Sequence, residues 1–113
     1  MKIHHGVLYL ADLNPRLGTE PGKVRPVVVI QTDLLNSVGH TSTWVIPCTT
    51  KLTGDSLLRV QLPKGIAGNN VNCEVMIDQS RAIDNGRFQK ELKPLPPSIL
   101  KEVKEKLRLL GDL

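Results

Sequence analysis

The run Pro26-Val27-Val28-Val29-Ile30 constrains this chain more than any other feature. Its four β-branched residues are stiff about χ1 and favour extended backbone. With no polar residue in alternation, the run has no face to give to water, so it is expected to be a strand covered on both sides. A chain of 113 residues has material for one modest core. Most of it must therefore wrap around that strand, and a single domain over 1–113 is expected.

The flanking segments supply the wrapping. Val7 to Leu13 reads as a first extended segment, and Pro15, Gly18, Pro21 and Gly22 punctuate a loop from Asn14 to Lys23. Charged loops of this length are common binding elements. Asp33 to Asn36 reads as one helical turn. Thr43 to Thr49 is a third strand, in which Pro47 marks a bulge or an edge. Leu58, Val60 and Leu62 alternate with Arg59 and Gln61, the pattern of a half-buried strand. Lys64 to Asn72 is a glycine-containing loop, Cys73 to Ile77 a fifth strand, and Arg81–Ile83 and Lys93–Leu95 short extended pieces. The period then changes. Leu100, Val103, Leu107 and Leu110 recur at helical spacing, with Pro97 suited to the first turn and Gly111 to the exit. This apolar stripe is expected to pack on the sheet and the charges between to form a solvated face. The fold class is mainly β with α (α+β): a small, strongly bent antiparallel sheet or barrel with short helices and a C-terminal amphipathic helix.

Composition narrows the function. No apolar run approaches the ~18 residues of a membrane helix. The charged start Met1-Lys2-Ile3-His4-His5-Gly6 lacks a signal core, since Val7–Ala11 stops at Asp12; a cytoplasmic location without membrane association is expected. Cys48 and Cys73 fit neither a disulfide framework nor a four-ligand zinc site and read as two reduced, buried thiols. No metal site and no cofactor is expected. The net charge of +4 and pI near 9.3 favour polyanionic partners. Only Tyr9, Trp44 and Phe88 are aromatic. Proteins that hold single strands by base stacking use more aromatics, so charge and hydrogen bonds must carry any contact with nucleic acid.

Few residues stand where chemistry is plausible. Arg25 lies at the junction of the loop and the buried strand, and Pro26 restricts it to extended geometry. A guanidinium fixed there presents a planar fork suited to a phosphate, the alternative being an ordinary surface ion pair. Thr49 ends the third strand and can turn its hydroxyl on a phosphate oxygen or on the local backbone. The pair matters only if both strand ends meet in one cleft. Gln79 and Arg81 share a face if their segment is extended. They either reach a ligand or, for Arg81, pair with Asp84. His4, His5 and His40 raise an acid–base alternative, against which stand their terminal and loop positions, where histidines are usually solvated.

Taken together the motifs resemble the MazF/PemK family of bacterial toxins, the ribonuclease half of toxin–antitoxin pairs. The resemblance is carried by Val7-Leu8-Tyr9-Leu10-Ala11-Asp12-Leu13-Asn14-Pro15, by Gly18-Thr19-Glu20-Pro21-Gly22-Lys23-Val24-Arg25-Pro26-Val27-Val28-Val29-Ile30-Gln31 with Asp33 and Asn36, by Val45-Ile46-Pro47-Cys48-Thr49, and by Asp78-Gln79-Ser80-Arg81-Ala82-Ile83-Asp84. It implies an SH3-like barrel that forms a homodimer, binds single-stranded RNA, cuts it to a 2′,3′-cyclic phosphate and a 5′-hydroxyl, and is silenced by an acidic antitoxin. The catalytic arginine falls on Arg25 and the catalytic threonine on Thr49, with Thr50 the neighbouring alternative. RNA contacts are implied for Thr19, Glu20, Gly22 and Lys23 in the loop, and for Asn36, Gln79, Arg81 and Arg87 beyond it. Pro21 departs from the family pattern and is expected to stiffen the loop. Two rivals share the architecture: a toxin of this fold that binds DNA gyrase without nuclease activity, and a non-catalytic RNA-binding barrel. The first needs neither Arg25 nor Thr49, and the low aromatic content disfavours the second.

Overall fold

The computed structural model describes residues 1–15, 17–20 and 22–113. Seven strands form one bent, open antiparallel sheet: β1 (Val7–Asp12), β2 (Val24–Val29), β3 (Ser42–Thr49), β4 (Arg59–Leu62), β5 (Cys73–Met76), β6 (Arg81–Asp84) and β7 (Phe88–Pro94). The path runs β4-β5-β3-β2-β1-β7, and β6 pairs with the first half of β3. Two helices complete the fold, α1 (Asp33–Asn36) and α2 (Pro97–Gly111).

The valine run lies where its composition demands. Val27–Val29 of β2 are paired on both edges, by β1 and β3, and buried on both faces. Val28 and Ile30 enter one apolar cluster with Leu8, Ile46, Val60, Leu62, Val75 and Val103. Val27 and Val29 enter another with Tyr9, Ala11, Leu13, Val45 and Ile83. Each buried valine contributes about 1.5–3 kcal/mol of transfer free energy.

Pro47 stands on an interior strand. β3 pairs with β2 along one edge, while along the other it pairs with β6 over Ser42–Val45 and with β5 over Cys48–Thr49. Pro47 falls in the gap between those two partners, where a missing N–H breaks no ladder bond. β7 is longer than the expected Lys93–Leu95, because most of its residues are exposed on an edge and give no alternation. In α2 only Val103 is fully buried; Leu100 and Leu107 pack partly on the first cluster, and Leu110 is 48% exposed, so the stripe fades in the last turn.

The N-terminal histidines are tied down. His4 N–H donates to the buried Tyr9 hydroxyl at 2.8 Å and His5 N–H to Asp33 Oδ1 at 2.8 Å. Gly6 has φ +78°, and a Cβ there would meet Leu100 Cδ2 at 2.9 Å, so the close seating of α2 requires glycine. Among the described residues no helix is long and apolar enough to cross a membrane.

Candidate active site

Arg25 and Thr49 meet. Both line a cleft of about 400 Å³ between the β1–β2 loop and the outer face of β3, β5 and β4. Each is fixed by its strand and by backbone groups nearby. Arg25 pairs with Ala11 across β1. Its Nε donates to Gly22 O at 2.7 Å and its Nη1 to Cys48 O at 3.3 Å. These two bonds hold the guanidinium against the end of β3 and leave its other N–H groups for a ligand. Thr49 Oγ1 accepts the Lys51 N–H at 3.1 Å. With that acceptor site occupied, the hydroxyl proton stays available for donation. Thr49 is 8% exposed, whereas Thr50 is exposed and does not line this cleft.

The loop forms one wall. Thr19, Glu20, Gly22 and Lys23 line it together with Asn14. Lys23 N–H donates to Asn14 Oδ1 at 2.8 Å, and Leu13 N–H to Lys23 O at 2.8 Å. Pro21 lies outside the described residues. Gln79 lines the cleft from a 3₁₀ turn after β5. Arg81 lies just beyond the lining and approaches Glu20, Nη1 to Oε2 at 4.0 Å; Asp84, the partner in one of the two alternatives read from the sequence, accepts the Gly86 N–H. Two further residues are committed elsewhere. Asn36 bonds Gln31 and Asp33 beside the N-terminus, away from the cleft. Arg87 Nη1 donates to the carbonyls of Asp12 and Asn14, which ties the start of the loop to the turn before β7. None of the histidines lines the cleft.

The opposite wall holds residues that sequence patterning did not single out: Lys51, Thr53, Arg59 and Met76. Two of them, Thr53 and Arg59, are bonded to Glu74, whose carboxylate is wholly buried in β5. Cross-strand register puts Thr49, Glu74 and Gln61 in one row, with side chains on one face of the sheet. Glu74 accepts from Gln61 Nε2 at 2.7 Å, Gly54 N at 2.9 Å, Thr53 N and Oγ1 at 3.1 Å and Arg59 Nη1 at 3.3 Å. Burial pushes this carboxyl up, but the bonds from Gln61, Gly54 and Thr53 outweigh it and bring the pKa down from 4.5 to about 2. A clue was present in the sequence, since a glutamate inside Cys73–Ile77 breaks an otherwise apolar strand.

On the core face of the same strands, Cys48 and Cys73 are free and buried. The Cys73 thiol and burial together raise the Cys48 pKa well above its ordinary value, so Cys48 stays protonated. Among the described residues lining the cleft, Lys23, Arg25, Lys51 and Arg59 stand against a single acidic one, Glu20. Such a lining attracts polyanions and suits a phosphate backbone. Among the described residues no three His, Cys, Asp or Glu side chains gather as a metal site would need.

The family profile of the PemK-like, MazF-like toxins of type II toxin–antitoxin systems matches residues 4–111. The chain is 31% identical over 110 residues to Endoribonuclease EndoA of Bacillus subtilis (strain 168), covering 96% of this chain and 94% of that one. It superposes on the crystal structure of MazF from Deinococcus radiodurans with a TM-score of 0.87 at 27% identity, over 100% of this chain and 99% of that one. A MazE–MazF structure from the same organism gives 0.80 at 26%, with 100% and 99% coverage. The chain belongs to the PemK-like, MazF-like toxin family of type II toxin–antitoxin systems.

Proposed function

We propose that this protein is an endoribonuclease toxin that cuts single-stranded RNA at the Arg25–Thr49 cleft. One observation carries the reading: in a chain of this family, a fixed guanidinium and a threonine hydroxyl with its proton free line one cation-rich cleft. The RNA 2′-hydroxyl attacks the adjacent phosphorus, the P–O5′ bond breaks, and the products are a 2′,3′-cyclic phosphate and a 5′-hydroxyl. The nucleophile belongs to the substrate, so the protein's task is to stabilise charge that grows on the phosphoryl oxygens. Arg25 acts as an electrostatic clamp on that charge. Thr49 adds a neutral donor. Thr19, Glu20, Gly22, Lys23 and Gln79 contact the RNA along the cleft, and Arg81 contacts it from the rim.

The substrate is cellular mRNA, met in the cytoplasm, and the chain works as a homodimer. Its inhibitor is an acidic antitoxin, as the MazE–MazF complexes of relatives suggest. The cation-lined cleft is where an acidic peptide exchanges for RNA.

The test is incubation of purified protein with a long single-stranded RNA in excess chelator, followed by mass analysis of the new ends. Cyclic phosphate and 5′-hydroxyl ends are expected. Cleavage that stops in chelator and returns with magnesium, or ends carrying 5′-phosphate, would overturn this chemistry.

A further inference from the structure

We propose that Glu74 is a positioning residue for the cleft, holding Arg59, Thr53 and Gly54 as one fixed wall against which the RNA backbone is gripped. The inference rests on the ribonuclease reading above.

The Glu74 carboxylate is costly where it sits. All four residues of β5 are buried, and its neighbours Cys73 and Val75 sit in an apolar cluster. A buried ion loses its hydration, and an apolar residue of similar volume often serves stability as well or better. What Glu74 provides is convergence. It gathers five donor groups from two places in the sequence: Thr53 and Gly54 on the β3–β4 loop, then Arg59 and Gln61 on β4. Thr53 and Arg59 line the cleft, and Lys51 and Thr49 lie just before the clamped loop.

The Arg59 contact is one-pronged. Nη1 approaches Oε1 at 3.3 Å, with the arginine side chain 21% exposed and the glutamate 0%. A bidentate pair would consume the guanidinium, whereas this one steadies one edge and leaves the rest of the fork for a phosphate. The main chain is braced from behind, where Lys106 Nζ of α2 donates to Arg59 O at 2.9 Å and pairs with Glu102 at 2.9 Å. Arg59 is thus held at backbone and side chain before any ligand arrives, which reduces the ordering cost of binding. Glu74 touches no substrate and acts through Arg59 and the loop.

The experiment is a double-mutant cycle on cleavage of a long single-stranded RNA, using wild type, Glu74→Gln, Arg59→Ala and the double variant, with folding checked by circular dichroism. An amide at position 74 keeps the size but turns a donor toward donors. Glu74→Gln is expected to raise KM about tenfold and change kcat less than about threefold, because residues coupled through a shared network interact on that scale and Arg25 and Thr49 remain in place. In the double variant KM should stay within about threefold of Arg59→Ala, whereas a merely structural role would make the two effects multiply. Should Glu74→Gln fail to fold, Gln61→Ala removes the shortest of the five bonds from an exposed position. It is expected to raise KM about threefold and, again, not to add to Arg59→Ala. A folded Glu74→Gln or Gln61→Ala with wild-type KM, or KM effects that multiply, overturns the inference and leaves the ribonuclease reading intact. A wild-type protein that cuts no RNA overturns both.

Discussion

The two walls of the cleft are built on opposite principles. The loop wall, from Asn14 to Lys23, is surface chain held by backbone turns, by the Asn14 and Arg87 side chains and by a 4.0 Å approach of Arg81 to Glu20. The sheet wall rests on a buried carboxylate with five donors. Among the described loop residues the Lys23–Asn14 and Arg87–Asn14 bonds are open to water, so on the ribonuclease reading proposed above this is the wall that can adjust to an RNA. The sheet wall cannot move without exposing or orphaning a charge. We read the difference as a division of labour, in which the deformable wall selects sequence and the fixed one sets the phosphate against Arg25 and Thr49.

The contrast can be broken most forcefully through stability. Glu74→Gln should lower unfolding free energy by about 3 kcal/mol, the scale for disrupting a buried charge network, while Asn14→Ala on the loop wall should cost about 1 kcal/mol or less. Urea midpoints would show this, and equal losses would erase the distinction. The same carboxylate sets an acid limit. Its pKa is lowered in the fold to about 2 from an ordinary 4.5. Its contribution is therefore complete above pH 4.5 and is lost as pH falls toward 2. Glu74→Gln should flatten the decline of stability over that window.

A smaller effect is expected from the hydroxyl beside Arg25. Thr49→Ala should slow cleavage about tenfold to a hundredfold, since it removes one neutral donor and leaves the charged one. Thr50→Ala should leave the rate within about twofold, because its exposed side chain lies outside the cleft, on an adjoining surface hollow that it shares with Arg25 and Thr49. Single-turnover rates on one RNA decide between the two positions. The smallest effect belongs to the loop wall. Glu20→Gln should change stability by no more than about 0.5 kcal/mol, because its contact with Arg81 is long and exposed. Its consequence should instead be a changed set of cut sites when products are sequenced. An unchanged set would deny the loop its selecting role.

How much of this was legible beforehand depended on whether a residue's surroundings were local. Val27–Ile30 announced a doubly covered strand because composition alone forbids an exposed face, and Asp33–Asn36 formed the helical turn that its local pattern suggested. β7 was mostly hidden, since an exposed edge strand needs no alternation. Pro47 could be read only with the pairing of β3 in hand. The site divides in the same way. Arg25 stood out through its place between loop and strand. Asn36 and Arg87 looked equally polar, and only tertiary structure shows their side chains committed to Gln31, Asp33 and the carbonyls of Asp12 and Asn14. Thr53 and Arg59 carry no motif, since what unites them is a glutamate that lies beyond them in the chain.

The central claim is that the Arg25 guanidinium, fixed between Gly22 O and Cys48 O, stabilises the transition state of RNA cleavage. The most direct test is the single-turnover rate of Arg25→Ala on a single-stranded RNA cut by wild type, with the fold confirmed by circular dichroism. The account predicts a folded protein slowed by at least about 10²–10³-fold, with Arg25→Lys also badly impaired because an ammonium cannot reproduce the fork. A folded Arg25→Ala that cuts the RNA at the wild-type rate would contradict it.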